Sequence, residues 1–408
     1  MRKIVLLLAS VFLGALLASG VALAVTPGGG AAGGAEANAA TAVKGPDAAL
    51  DRALKKLVAM PGGPPGVIAV VQRGQSREVH TFGVANLKSE RRMGANDRMR
   101  IASTAKAFSG AVALSLVSKT DKLSLDDTIG ERLSDLPEPP PKKWSDVTLR
   151  QLLSHTSGLP EYTGEAFRAA VEEKRLRNPD PPAKLLTYAY KLNHKKLLFD
   201  PGTRYHYSNT DNIAVALMVE DATGDSYENQ LKKRVYRPLG LSRTSLPVGP
   251  ELQKPFIHGY DLSERPPEDG SKIIAAGWAW ASGGIVSTPS DLNAFIRGYV
   301  GGDLFDLQTR AEQREVFKGG GSEPRGPGKN SAGLGVFRYE TACGTVWGHT
   351  GNIPGGYTQF MAASPNGKRS VTVSINAQIA PPVGDPDAFK ALRRAEGLAV
   401  CAALAGQG

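Results

Sequence analysis

Arg100-Ile101-Ala102-Ser103-Thr104-Ala105-Lys106-Ala107-Phe108 sets a serine at the head of an apolar helical run, with a lysine three residues later. Residues three apart are neighbours on a helix, so Ser103 and Lys106 share one face. A serine hydroxyl is a poor nucleophile until a base takes its proton. A lysine amine acts as that base when burial or neighbouring charge lowers its pKa. The helix start adds free N–H groups that favour developing negative charge. The run stays apolar through Ala111, Val112, Leu114 and Leu116, which predicts a core helix with Ser103 at its tip. A helix N-cap serine followed by a surface lysine has the same pattern, and S-x-x-K alone does not separate the two.

The chain around this stretch has 408 residues, 41% hydrophobic and 22% charged, enough for a large core and ordinary for a globular protein. Met1-Arg2-Lys3, the apolar stretch to Ala24 and the small-x-small site Ala22-Leu23-Ala24 predict a signal peptide over residues 1–24. An uncleaved membrane anchor is the competing reading of that segment. The mature protein is therefore expected to be secreted. The net charge of +10 is scattered without an aromatic platform, which argues against nucleic-acid binding. The two cysteines, Cys343 and Cys401, are expected to form one disulfide in an exported protein. Closing a loop of that length contributes about 4 kcal/mol by restricting the unfolded chain. Neither cysteine has a Cys or His at ligand spacing, so no metal is expected.

Residues 25–45 are Gly/Ala-rich without periodicity and read as a flexible linker. The remainder, 46–408, is expected to be one catalytic domain. A helix is predicted from Asp47 to Ala59, followed by strands Gly66 to Gln72 and Glu78 to Val84. Residues 123–262 are mostly helical in period, with helices over Leu149 to Ser154, Pro181 to Leu192, Thr210 to Ala222 and Tyr227 to Tyr236. Strands return at Leu334 to Tyr339, Thr345 to Gly348, Tyr357 to Ala363 and Ser370 to Ile375, before a closing helix from Pro386 to Ala403. Strands at both ends and helices between them predict an α+β fold. Its antiparallel sheet is built from the N- and C-terminal thirds, flanked by helices, with a helical insertion. The cleft between the two parts is the expected site.

Two further stretches carry chemistry. In Tyr205-His206-Tyr207-Ser208-Asn209, an extended loop points Tyr207 and Asn209 the same way. A phenol near a lysine can shuttle protons, and an amide can bind an acyl carbonyl; an aromatic loop ending in an Asn209 N-cap is the alternative. In Trp347-Gly348-His349-Thr350-Gly351-Asn352, glycines on both sides of His349-Thr350 let a ligand approach the backbone. The N–H groups of Ser103 and Asn352 are then expected to form an oxyanion hole, although a plain turn between strands fits the same residues.

Taken together, S-x-x-K, Y-S-N and H-T-G resemble the penicillin-recognising serine hydrolases, on the class C β-lactamase and D,D-carboxypeptidase branch. Leu152-Leu153-Ser154-His155-Thr156-Ser157-Gly158-Leu159 and Gly283-Gly284-Ile285-Val286-Ser287-Thr288 also fit that branch. Within it, the chain looks most similar to secreted Streptomyces-type D-alanyl-D-alanine carboxypeptidases, which share the His of the third motif and the cysteine pair. The resemblance implies acyl transfer through a covalent serine ester, with Ser103, Lys106, Tyr207 and His349 catalytic. Asn209, Thr350, Gly351, Asn352, Trp278 and Phe337 would line the substrate site, no cofactor would be needed, and β-lactams would be covalent inhibitors. A peptidoglycan stem peptide is the implied substrate. An esterase, a D-aminopeptidase or amidase, a β-lactamase, or a non-catalytic peptidoglycan-binding protein of the same fold are the other readings. One departure matters. Phe337 stands where those carboxypeptidases carry an arginine for the substrate's terminal carboxylate, and Asn352 replaces a carboxylate-binding threonine. His155 and His206 are expected to be structural.

Overall fold

The computed structural model describes residues 39–263 and 265–406. The expected signal peptide and the first part of the expected linker lie outside the described residues. The rest of that linker is corrected: a helix, α1, runs Ala39–Ala59 and carries Pro46 inside it. Ala39, Ala40 and Ala42 supply the strongest helix former, which the lack of hydrophobic period had masked. Among the described residues no helix is long and apolar enough to cross a membrane.

The main sheet has eight strands: β1 (Gly66–Arg73), β2 (Ser76–Gly83), β3 (Phe317–Lys318), β4 (Lys329–Ala332), β5 (Phe337–Thr341), β6 (Gly344–Ile353), β7 (Tyr357–Ala363) and β8 (Arg369–Ile375). Their spatial order is β2-β1-β8-β7-β6-β5-β4-β3, antiparallel throughout. The N-terminal hairpin thus joins the C-terminal strands edge to edge, as the two-ended strand pattern predicted.

Strand β1 is buried on both faces, and its side chains divide by parity. Val67, Ala69 and Val71 pack with Leu50, Leu54 and Leu57 of α1 and with the closing helix Pro386–Leu404. Ile68 belongs to the core on the opposite face, with Phe108 and Phe295. Each aliphatic side chain fully buried in this way contributes about 1.5–3 kcal/mol.

That second core surrounds the helix α2, Ala105–Lys119, whose residues from Ala105 to Leu116 are all buried. A helix apolar on all sides has to be enclosed. The sheet covers one flank of it, and helices of the middle segment cover the other, among them α3, Asn209–Thr223. Enclosure fixes the N-terminal end of α2 at the seam between sheet and helices. The disulfide Cys343–Cys401, with Cα atoms 5.1 Å apart, staples the start of β6 to the closing helix.

Boundaries differ from the sequence reading in one place that matters. β6 runs from Gly344 to Ile353, so H-T-G lies inside a strand and not beyond its end. Glycine-flanked His349-Thr350 reads as a turn in sequence, but pairing with β7 extends the strand through it.

Candidate active site

The serine is delivered by a strained turn. Ala102 has φ +50°, a left-handed conformation that an L-residue adopts at a cost of about 1–2 kcal/mol. A 3₁₀ turn, Ala102–Thr104, then feeds α2. Neither turn nor helix is capped by a side chain. Ser103 is half-exposed and its hydroxyl meets Lys106 Nζ at 3.1 Å. Both parts of the bland reading of S-x-x-K therefore fail: the serine is not an N-cap, and Lys106 is 1% exposed.

Lys106 Nζ has three polar neighbours: Asn209 Oδ1 at 2.5 Å, Ser282 O at 2.7 Å and Ser103 Oγ. Two of these can only accept. A neutral amine directs its two N–H bonds at those carbonyl oxygens and leaves its lone pair for the serine O–H. Burial, opposed by Glu161, Asp211 and Glu323, lowers the lysine to about 7, so the neutral form is available near neutral pH.

Tyr207 packs its ring 5.0 Å from Lys106 Nζ. Its hydroxyl is buried next to Ser103 without a hydrogen bond of ordinary geometry, and it bonds neither Lys106 nor His349. Burial raises the phenol well above its usual range, and it rests protonated. His155 sets this ring in place. It is buried, its centroid is 4.5 Å from that of Tyr207, and its Nδ1 meets Asp211 Oδ2 at 2.7 Å. Burial lowers the imidazole to about 3, so it rests neutral. His206 is half-buried, with its ring near Phe199.

Asn209 is the first residue of α3, and Ser208, not Asn209, is its N-cap. The Asn209 amide is left free to hold the lysine. Glu161 ties the loop down, accepting from Asn209 N at 2.6 Å and from Thr163 N at 2.9 Å. Glu161 lies two residues beyond the accessory stretch that ends at Leu159; that proximity was its only signal in the sequence.

On the sheet side, β6 pairs with β5 only from Gly344 to Gly348, leaving the edge beyond it open. The Ile353 carbonyl faces the β6–β7 turn, where it accepts from Gly356 N at 3.4 Å. Alternation along the strand then turns the Thr350 and Asn352 peptide groups to the open edge. His349 Nδ1 sits 2.5 Å from Thr350 O on that edge. Gly351 brings the strand against the serine turn. A Cβ there would stand 2.6 Å from Ile101 O and 3.0 Å from Ser103 N, inside the space between the two expected oxyanion donors.

Three expected site residues are buried. Thr350 is fully buried and its hydroxyl donates to Pro324 O, so it braces that loop. Trp278 is fully buried, bonded through Nε1 to Leu176 O at 3.1 Å. It lines a small cavity of about 30 Å³ shared with Arg100, Ile353 and Tyr357, room for little more than a water. His349 is buried and neutral, lowered well below its usual range by burial, and its Nε2 has no partner.

Phe337 is 2% exposed and stands edge-on to His349, with ring centroids 4.9 Å apart, and near Tyr207 at 6.5 Å. Arg338, one residue on, faces the other side of β5 and pairs with Glu340 at 2.7 Å. No arginine reaches the cleft from this strand.

A serine with a buried lysine at its hydroxyl, beside two peptide N–H groups, on this sheet-and-helix scaffold, defines a serine hydrolase of the β-lactamase and penicillin-binding fold. The family profile described as Beta-lactamase matches residues 50–396, and the chain belongs to that family. Among solved structures, a D-stereospecific amidohydrolase from Streptomyces sp. superposes with a TM-score of 0.71 at 29% identity, over 86% of this chain and 98% of that one. A D-aminopeptidase of Cereibacter sphaeroides is 28% identical over 80% of this chain and 60% of its own length. Penicillin-binding protein 4* of Bacillus subtilis is 28% identical over 48% of this chain and 41% of its own. The chain thus spans about half the length of these two curated relatives.

Proposed function

We propose that this protein hydrolyses small amides whose acyl part is a D-amino acid, acting as a D-aminopeptidase or D-amino acid amidase through an acyl-Ser103 ester. The observation that carries this reading is Phe337. A D,D-carboxypeptidase has to neutralise the free carboxylate at the end of its substrate, and this site has an aromatic ring where that cation would stand. An unbalanced carboxylate brought against buried apolar surface costs several kcal/mol. The amidohydrolase and D-aminopeptidase relatives support the same reading.

In the proposed reaction, neutral Lys106 takes the Ser103 proton as Oγ attacks the amide carbon. The tetrahedral oxyanion is held by the Ser103 and Asn352 N–H groups. Tyr207, protonated at rest, donates to the departing nitrogen and recovers its proton from Lys106. Water then attacks the ester, with the same groups reversing their roles. Asn209 holds the lysine and Glu161 holds Asn209. The basic, apolar start of the chain supports secretion, and β-lactams are proposed as covalent probes of Ser103.

The test is hydrolysis of D-phenylalaninamide beside its L-enantiomer and beside a diacyl-Lys-D-Ala-D-Ala peptide. The reading expects turnover of the D-amide, lost in Ser103→Ala. Release of D-Ala from the peptide without amide turnover would overturn it in favour of a carboxypeptidase on peptidoglycan stem peptides.

A further inference from the structure

Residues 319–328, between β3 and β4, form a loop tied to the cleft at three points. Tyr205 Oη donates to Gly321 O at 2.5 Å, Ser322 Oγ lies 2.9 Å from Tyr339 Oη, and Thr350 Oγ1 donates to Pro324 O. Two of those partners belong to the motifs that build the site. Gly326 N, bonded to Asn330 Oδ1 at 2.9 Å, closes the loop on itself. A loop fixed so firmly holds Glu323, between Ser322 and Pro324, at a defined place.

Glu323 is the one acid of that loop and it is unmatched. Its side chain keeps contact with solvent although much protein lies around it, and the anchored residues on either side of it, Ser322 and Pro324, hold it beside the H-T-G strand. It interacts electrostatically with Lys106, Tyr207 and Glu161, all at the reacting serine. Among the described residues its carboxylate makes no hydrogen bond or ion pair, and nearby Arg325 donates instead to Gly319 O at 3.0 Å. Glu161, by contrast, spends both carboxylate oxygens on backbone N–H groups. Burial and the Glu161 charge raise Glu323 to about 7, so a cation arriving beside it would stabilise its ionised form.

We propose that Glu323 is a specificity-determining residue that receives the free α-ammonium group of the substrate, so that the site selects unblocked D-amino acid derivatives over N-acylated ones. The inference rests on the amidohydrolase reading, since such substrates carry an ammonium next to the carbonyl under attack. A carboxylate on the rim gains a charge-assisted hydrogen bond from that ammonium and faces an unfavourable neutral amide when the nitrogen is acylated. The β6 edge and Phe337 offer no competing anion.

A matched pair of esters tests this independently of amide turnover. D-alanine benzyl ester and its N-acetyl counterpart are compared by kcat/KM in the wild type, Glu323→Gln and Glu323→Asp. The wild type should favour the free amine, and Glu323→Gln should reduce that preference on the order of 10- to 100-fold, the worth of one hydrogen bond to a charged group. Glu323→Asp should keep part of it. The preference is a ratio measured on one preparation, so partial misfolding of a variant cancels. An unchanged ratio in Glu323→Gln, or an equal loss on both esters, would overturn the proposal. Failure to cleave D-amides with the ester preference intact would instead sink only the amidohydrolase reading.

Discussion

The two walls of the cleft are built on opposite plans. On the helical wall nearly every polar group is engaged: Lys106 is bound by two carbonyl oxygens and the serine, Asn209 by Glu161, and His155 by Asp211. The sheet wall offers peptide groups on an open strand edge, a neutral histidine and the ring of Phe337. Covalent chemistry needs a nucleophile and base held to a fraction of an ångström, which a satisfied polar network provides. Substrate choice needs a surface that differs between relatives, and a strand edge with exchangeable side chains provides that. On the proposed reading the helical wall determines which reaction occurs, and the sheet wall together with the Glu323 loop determines on what.

Breaking the helical wall should have the largest effect. Ser103→Ala removes the nucleophile, and acyl-enzyme formation should fall by roughly 10⁴-fold or more, read as loss of fluorophosphonate labelling by intact-mass spectrometry. Labelling that persists at another residue would move the site. Gly351→Ala tests where the two walls meet. Its Cβ would press on Ser103 N and Ile101 O, so kcat should fall on the order of 100-fold, as for loss of one oxyanion donor. Unchanged kcat would remove Asn352 N–H from the hole.

The smaller effects lie within the sheet wall. Phe337→Ala empties a buried aromatic position and should cost about 3 kcal/mol in denaturant unfolding, with KM changed more than kcat. Equal losses in kcat would mean that Phe337 positions Tyr207 or His349 and does not line the substrate pocket. Reduction of Cys343–Cys401 should lower stability by about 2–4 kcal/mol and leave kcat unaltered, because the staple lies away from the serine.

The helical wall was largely legible in the sequence because its chemistry is local. Ser103 and Lys106 are one helical turn apart, and the apolar run after them already implied burial. The sheet strands with strong period 2 were legible as well, and so was their pairing across the chain. What sequence could not show were consequences of tertiary contact. The extension of β6 through H-T-G depends on pairing with β7. The Thr350 hydroxyl was spent on Pro324, more than twenty residues away in sequence, and Trp278 was enclosed by Leu176 and its neighbours. Alanine-rich residues before Pro46 formed helix where composition had suggested linker. Glu323 lacked any motif, and only the anchoring of its loop to Tyr205 and Thr350 brings it to the site.

The claim on which the account turns is that Lys106 acts as a neutral base. Its pKa is lowered to about 7, so the reactive fraction grows as pH rises and is complete above that value. The direct measurement is the rate of Ser103 acylation by a fluorophosphonate, which carries no titrating group, between pH 5 and 9. The account predicts a tenfold rise per pH unit below about 7 and a plateau above it, with the rising limb abolished in Lys106→Met. A rate still climbing at pH 9, as for a lysine of ordinary basicity, or one flat throughout, would contradict it.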